Sequence, residues 1–71
     1  MTSREPFFEC VLLCDRNEYR FHFRAWSAEE AELHLREDLL EAGARQRGEL
    51  QVFDGKGRLL RRGAFPGRAT G

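Results

Sequence analysis

Residues 19–26 alternate strictly between two kinds of side chain, and this alternation constrains the fold more than any other feature of the sequence. Apolar residues take the odd positions, which are Tyr19, Phe21, Phe23 and Ala25. Mostly polar residues take the even positions, which are Arg20, His22, Arg24 and Trp26. Because successive side chains of a strand point to opposite faces, the pattern predicts a strand with one face toward a core.

The largely apolar segment 7–14 supplies a partner strand, and turn-forming residues follow it at 15–18. We expect a hairpin in which Cys14 lies opposite Tyr19. The core-face pairs would be Cys14–Tyr19, Leu12–Phe21, Cys10–Phe23 and Phe8–Ala25, and the outer-face pairs would include Glu9–Arg24 and Phe7–Trp26. A slip of one residue would bring arginines onto the core face, which disfavours it.

A helix follows directly. Ser27 and Glu30 have the spacing of a capping box, which predicts a helix start at this point. Apolar residues then recur at helical spacing and form one stripe, which consists of Ala28, Ala31, Leu35, Leu39 and Ala42. Gly43 is the expected residue at the helix end.

The remaining chain predicts a second hairpin. Residues 49–53 and 58–65 read as strands around the turn Asp54-Gly55-Lys56-Gly57, whose glycines accept positive φ angles. The order ββαββ predicts an α+β two-layer sandwich, with a mainly antiparallel four-stranded sheet and the helix on one face. We expect the strand order 2-1-3-4, a single domain over 7–65, and flexible ends at 1–6 and 66–71.

Length and charge limit the classes of protein. A chain of 71 residues forms one small core, and it has no apolar run of the roughly 20 residues that span a membrane. The N-terminus has no signal-peptide pattern, so a cytoplasmic protein without membrane association is expected. The net charge is zero, but residues 27–44 carry six acids against one arginine, and residues 45–71 carry seven basic residues against two acids.

Catalysis finds little support in the sequence. Four residues apart on a strand, Cys10 and Cys14 would lie roughly 13 Å from each other, too far for a disulfide or a shared metal. His22 and His34 have no converging partners in the sequence. We therefore expect no enzyme activity, no metal site and no cofactor.

The sheet face turned away from the helix is the more informative feature. A bulge at Gly57 would add the second hairpin to this face, with Phe53 opposite Leu59 and Gln51 opposite Arg61. The candidate binding residues are Phe7, Val11, Leu13, Arg20, His22, Arg24, Trp26, Phe53 and Arg61. Aromatic side chains together with arginine are typical of the centre of a protein interface.

Three interpretations of this face follow. In the first, the chain is a non-catalytic protein-binding or self-assembly module, with a protein partner or a homodimer on the face. In the second, it is a nucleic-acid-binding accessory protein, with bases on Trp26 or Phe53 and phosphates on the arginines. A net charge of zero counts against the second. In the third, strand twist and the chain ends cover most of the apolar area.

One local segment resembles a known family. Trp26-Ser27-Ala28-Glu29-Glu30-Ala31 is similar to the strand-to-helix junction of arm-type DNA-binding domains of phage integrases, over about a quarter of the chain. Those domains place three strands before the helix, whereas two are expected here. The resemblance assigns no site residue.

Overall fold

The computed structural model describes residues 5–67, which form four strands and one helix in the order ββαββ. The elements are β1 (Phe7–Cys14), β2 (Glu18–Arg24), α1 (Ala28–Glu41), β3 (Gly48–Phe53) and β4 (Leu59–Phe65). All neighbouring strands are antiparallel, in the order β2-β1-β3-β4. The predicted α+β sandwich and strand order are confirmed. Residues 1–4 and 68–71 of the expected flexible ends lie outside the described residues.

The core lies between α1 and one face of the sheet. The helix buries Ala31, Leu35 and Leu39, which are part of the predicted stripe. The sheet contributes buried side chains from three strands, which are Phe8, Cys10, Leu12, Leu50, Val52 and Phe65. Leu33 and Leu40 are exposed on the other side of the helix. The two layers therefore share a single core.

Local hydrogen bonds cap both ends of α1. The Ser27 hydroxyl oxygen accepts a hydrogen bond from the Glu30 N–H over 3.1 Å, as an N-cap does. At the other end Gly43 takes a φ of 76°, and the N–H groups of Gly43 and Ala44 donate to the carbonyls of Leu40 and Leu39. This is a Schellman motif, so backbone donors satisfy the carbonyls of Leu39 and Leu40.

The predicted register of the first hairpin is wrong by two residues. Cys14 and Asn17 exchange backbone hydrogen bonds of 2.9 and 3.2 Å around the two-residue turn Asp15-Arg16. This turn is two residues shorter than the expected loop, so Cys10 pairs with Phe21 and not with Phe23. A shift of two residues keeps every side chain on its predicted face.

Besides the turn at Gly57, the second hairpin contains a bulge at Leu60 that the sequence did not reveal. The Asp54 carboxylate accepts hydrogen bonds from the N–H groups of Lys56 and Arg58, and Gly57 takes a φ of 83°. Phe53 pairs with Leu59 as expected. Val52, however, pairs with Arg61, which leaves Leu60 as an extra residue in β4. Gln51 consequently pairs with Arg62, and the predicted Gln51–Arg61 pair is wrong.

A close backbone approach at Gly48 leads to a prediction. A Cβ atom on Gly48 would collide with the carbonyl oxygen of Leu13, whereas a Cβ on Gly55 would have nothing within 4 Å. We expect Gly48→Ala to lower the free energy of unfolding by about 1–3 kcal/mol, because the β1–β3 ladder must separate. Gly55→Ala is the matched control and should change it by less than about 1 kcal/mol. Urea unfolding of both variants measures the difference, and equal stabilities would refute this close approach.

Candidate functional site

The sheet face opposite α1 is the candidate site, here named the open face. Paired residues of antiparallel strands point to the same side, so the register assigns each side chain to a face. Within residues 5–67 no helix or strand packs on the open face. Its members are Phe7, Glu9, Val11, Leu13, Glu18, Arg20, His22, Arg24, Glu49, Gln51, Phe53, Leu59, Arg62 and Ala64.

Most of the residues predicted for this face lie on it. Seven of the nine do so: Phe7, Val11, Leu13, Arg20, His22, Arg24 and Phe53. Trp26 lies beyond the end of β2, in the connection to α1, and Phe7 pairs with Arg24 instead. The expected Phe7–Trp26 pair is therefore wrong, although the Trp26 side chain is strongly exposed.

Arg61 lies on the other side of the sheet, which corrects its predicted place. The bulge at Leu60 turns Arg61 toward α1, where its guanidinium donates to the Glu32 carboxylate over 2.9 Å. Arg36 donates to the other oxygen of the same carboxylate, also over 2.9 Å. Burial raises the pKa of Glu32, but the hydrogen bonds from Arg61 and Arg36 outweigh it and hold the pKa below its ordinary value. Arg61 thus ties β4 to the helix.

Arg62 takes the place on the open face that Arg61 was expected to occupy. Its guanidinium approaches the Glu49 carboxylate to 3.4 Å. Sequence reasoning placed Arg61 on the open face and did not identify Arg62 there, because nothing in the run Leu59–Phe65 marks the position of the extra residue. Leu59, opposite Phe53, completes the apolar part of the face.

The open face covers part of its own apolar surface. Val11 is only 3% exposed, although no element lies over it. Arg20 is its partner in β2 and Gln51 its partner in β3, so the longer side chains of both neighbours flank it. Phe7 and Leu59 remain 51% and 45% exposed. The exposed apolar area is therefore smaller than the sequence suggested, and it lies toward the strand ends.

Carboxylates engage two of the arginines on this face. Arg20 donates to Glu9 over 2.7 Å and to Glu18 over 2.8 Å. These hydrogen bonds raise the pKa of Arg20 further above its already high value. Arg62 has its partner in Glu49. Neighbouring carboxylates thus compensate the charges of both guanidinium groups.

Arg24 is held in a different way. Its guanidinium carbon lies 3.9 Å from the centre of the Phe7 ring, a cation–π arrangement. One guanidinium nitrogen also donates to the Glu5 carbonyl over 3.2 Å. Phe7 and Arg24 therefore form a preassembled aromatic–cation pair at the edge of the open face.

The groups that could perform chemistry are dispersed. Cys10 is a buried free thiol, and burial raises its pKa to about 11, with the Glu32 and Glu9 charges adding to the effect. It is therefore a poor nucleophile at neutral pH. His34 stacks on Phe23 with 6.3 Å between ring centres, and His22 lies exposed on the open face. Among residues 5–67 no three His, Cys, Asp or Glu side chains converge as metal ligands would.

The described part of the chain also contains no helix with the length and apolarity needed to cross a bilayer. Comparison of the chain with protein-family models, with curated proteins and with solved structures finds no match in any of the three. The functional argument therefore depends on the geometry of the surface.

The Glu32 cluster gives a pH-dependent prediction. Because the folded pKa of Glu32 is lowered, its contribution to stability is complete above the ordinary value of 4.5 and is lost as the pH falls through the folded pKa. Glu32→Gln should lower the free energy of unfolding by about 1 kcal/mol at neutral pH. The deficit should disappear in acid, measured by denaturant unfolding at several pH values.

Glu37→Gln is the matched control, because Glu37 is exposed on the same helix and forms no ion pair within residues 5–67. It should leave stability almost unchanged at every pH. A deficit for Glu32→Gln that persists undiminished in acid would contradict the role given to the carboxylate.

Proposed function

We propose that the chain is a non-catalytic binding module whose open face binds protein, with a second copy of the chain as the occupant. One observation carries the proposal. Phe7 and Leu59 are about half exposed on a sheet face that no element of residues 5–67 covers. Leu13 and Phe53 lie on the same face and are half-buried. Exposed apolar side chains gathered on one face favour association.

The charges of the face suit a second copy. Three acids, Glu9, Glu18 and Glu49, balance the three arginines Arg20, Arg24 and Arg62. Two copies of this face therefore meet without net repulsion, since each has a net charge of zero when His22 is neutral. The ion pairs of Arg20 and Arg62 are already formed, so their side chains lose little further freedom on association.

The size of the face predicts weak association. Four strands of about seven residues make a face of roughly 19 by 23 Å, or on the order of 450 Å² in projection. Stable interfaces usually bury about 800 Å² on each partner. We therefore propose a reversible dimer that forms in the micromolar range or above.

Nucleic-acid binding through exposed aromatic and arginine side chains is the alternative function. The exposed Trp26 and the Phe7–Arg24 pair support it, because bases stack on such groups. Four of the arginines that would meet phosphates are engaged by carboxylates: Arg20, Arg58, Arg61 and Arg62. Phosphate would have to displace those partners, so protein binding is the better-supported function.

A cytoplasmic location is part of the proposal. Both cysteines are free thiols, and Cys10 is buried. Free thiols are common in the reducing cytoplasm, whereas small secreted domains generally pair their cysteines.

The oligomeric state tests the proposal. Sedimentation velocity between about 10 µM and 1 mM should show a rise in mean mass toward twice that of the monomer. Leu59→Arg should abolish this rise, because it places a charge among the exposed apolar side chains of the contact. Leu33→Arg is the matched control, since Leu33 is also about half exposed but lies on the outer side of α1, and this variant should dimerise as the parent chain does. A monomer at 1 mM, or equal behaviour of the two variants, would overturn the proposal.

The alternative has its own test. We expect a fluorescein-labelled single-stranded oligonucleotide to show no change in anisotropy with the chain at low salt. Saturable binding that weakens steeply with added salt, and that Arg24→Gln reduces, would decide for nucleic acid against protein.

A further inference from the structure

The arginines of the described residues fall into two groups. Five of the nine form ion pairs with carboxylates: Arg20, Arg36, Arg58, Arg61 and Arg62. Arg24 lies over the Phe7 ring. The other three are Arg16, Arg45 and Arg47, all exposed and all without a carboxylate partner among residues 5–67.

The topology brings these three arginines to one end of the molecule. Cys14 at the end of β1 pairs with Gly48 at the start of β3. The β1–β2 turn therefore lies beside the connection from α1 to β3. A cleft of about 650 Å³ separates the two segments, and Arg16 and Arg47 line it together with Gln46.

The helix end leaves these arginines available. Basic side chains beyond a helix commonly bind its last carbonyl groups. Here the backbone N–H groups of Ala42, Gly43 and Ala44 already occupy the carbonyls of Asp38, Leu40 and Leu39. These three carbonyl groups therefore have backbone donors and do not need the Arg45 side chain as a hydrogen-bond donor.

An apolar groove adjoins the cleft, on the helix side of the sheet and away from the open face. It has a volume of about 280 Å³, and its apolar walls come from Leu12, Phe21, Leu39 and Ala44. Tyr19 and Arg45 also line it, and Gln46 borders both the groove and the cleft. An apolar side chain in the groove would therefore lie next to the cationic cleft.

The neighbouring edge of the sheet is open as well. β2 is an edge strand that pairs only with β1 within the described part of the chain. Tyr19 and Phe21 belong to this strand and also line the groove. An extended peptide can add to such an edge through backbone hydrogen bonds, while alternate side chains enter pockets beside it.

We propose that this groove and cleft form a second binding site, which takes an acidic peptide segment with one large apolar side chain. The apolar side chain occupies the groove, and the neighbouring carboxylates bind Arg16, Arg45 and Arg47. Charge complementarity selects the occupant, because the lining carries three arginines against the single acid Asp15. The site is distinct from the open face and does not depend on self-association.

The test uses the full isotope-labelled chain and an acetylated peptide with a central Phe between three acidic residues on each side. NMR titration should shift the amide signals of residues 15–21 and 44–47. Replacing the central Phe by Ala should weaken binding by roughly ten- to a hundredfold, which is the effect expected from losing one buried aromatic side chain. A peptide with lysines in place of the acids should not bind.

Two double variants separate this site from general attraction to a basic surface. Arg16→Gln with Arg47→Gln should weaken binding of the acidic peptide by about tenfold, as expected for the loss of two exposed charge pairs. Lys56→Gln with Arg58→Gln removes the same charge from the exposed β3–β4 turn and should leave the affinity unchanged. Leu59→Arg on the open face should also leave it unchanged, so this proposal and the dimer fail separately.

Four results would overturn the proposal. These are equal loss of affinity in the two double variants, equal binding of the Ala and Phe peptides, amide shifts confined to other segments, and tighter binding of a single-stranded oligonucleotide than of the peptide. The last result would assign the cationic cleft to nucleic acid.

Discussion

The fold depends on the contact between the apolar stripe of α1 and the middle of the sheet. Leu35 is completely buried, as are Cys10, Leu50 and Val52 beneath the helix layer. Full burial of one such side chain stabilises a protein by about 1.5–3 kcal/mol, against roughly 4–10 kcal/mol for the whole of a domain this size. One helix can make this contact on only one side of the sheet. The open face is the direct consequence, and it follows from the order of elements and not from any special residue.

Much of this architecture could be predicted because hydrophobic periodicity determines faces. The alternation in β2 and the stripe in α1 each separate core from surface, and the turn-forming residues at 15–18 and 54–57 mark where the strands end. Periodicity does not distinguish registers that differ by two residues, since both keep the same face toward the core. The turn at Asp15-Arg16 determines which of these registers forms. Two reciprocal backbone hydrogen bonds close a shorter loop there than the composition suggested.

Strand register also limited the prediction of the candidate site. A single extra residue, Leu60, moved Arg61 from the predicted face to an ion pair with Glu32 and brought Arg62 to the open face. The sequence of β4 does not alternate, so no pattern marks where the strand bulges. The burial of Val11 could not be predicted from the sequence either, because side chains of the flanking strands cover it and residues near Val11 in sequence do not. Tertiary pairing decided both outcomes.

Ion pairing gives the best physical criterion for separating the surfaces of this chain. Where an arginine faces a carboxylate, as Arg20 faces Glu9 and Glu18, the charge is already compensated and an incoming anion must displace a partner. Where an arginine forms no ion pair within residues 5–67, as at Arg16 and Arg47, the charge is available. The zero net charge of the sequence conceals this division, because composition counts charges without placing them. A compensated face favours contact with another protein surface, whereas an uncompensated cleft beside an apolar groove favours an acidic segment with an apolar anchor.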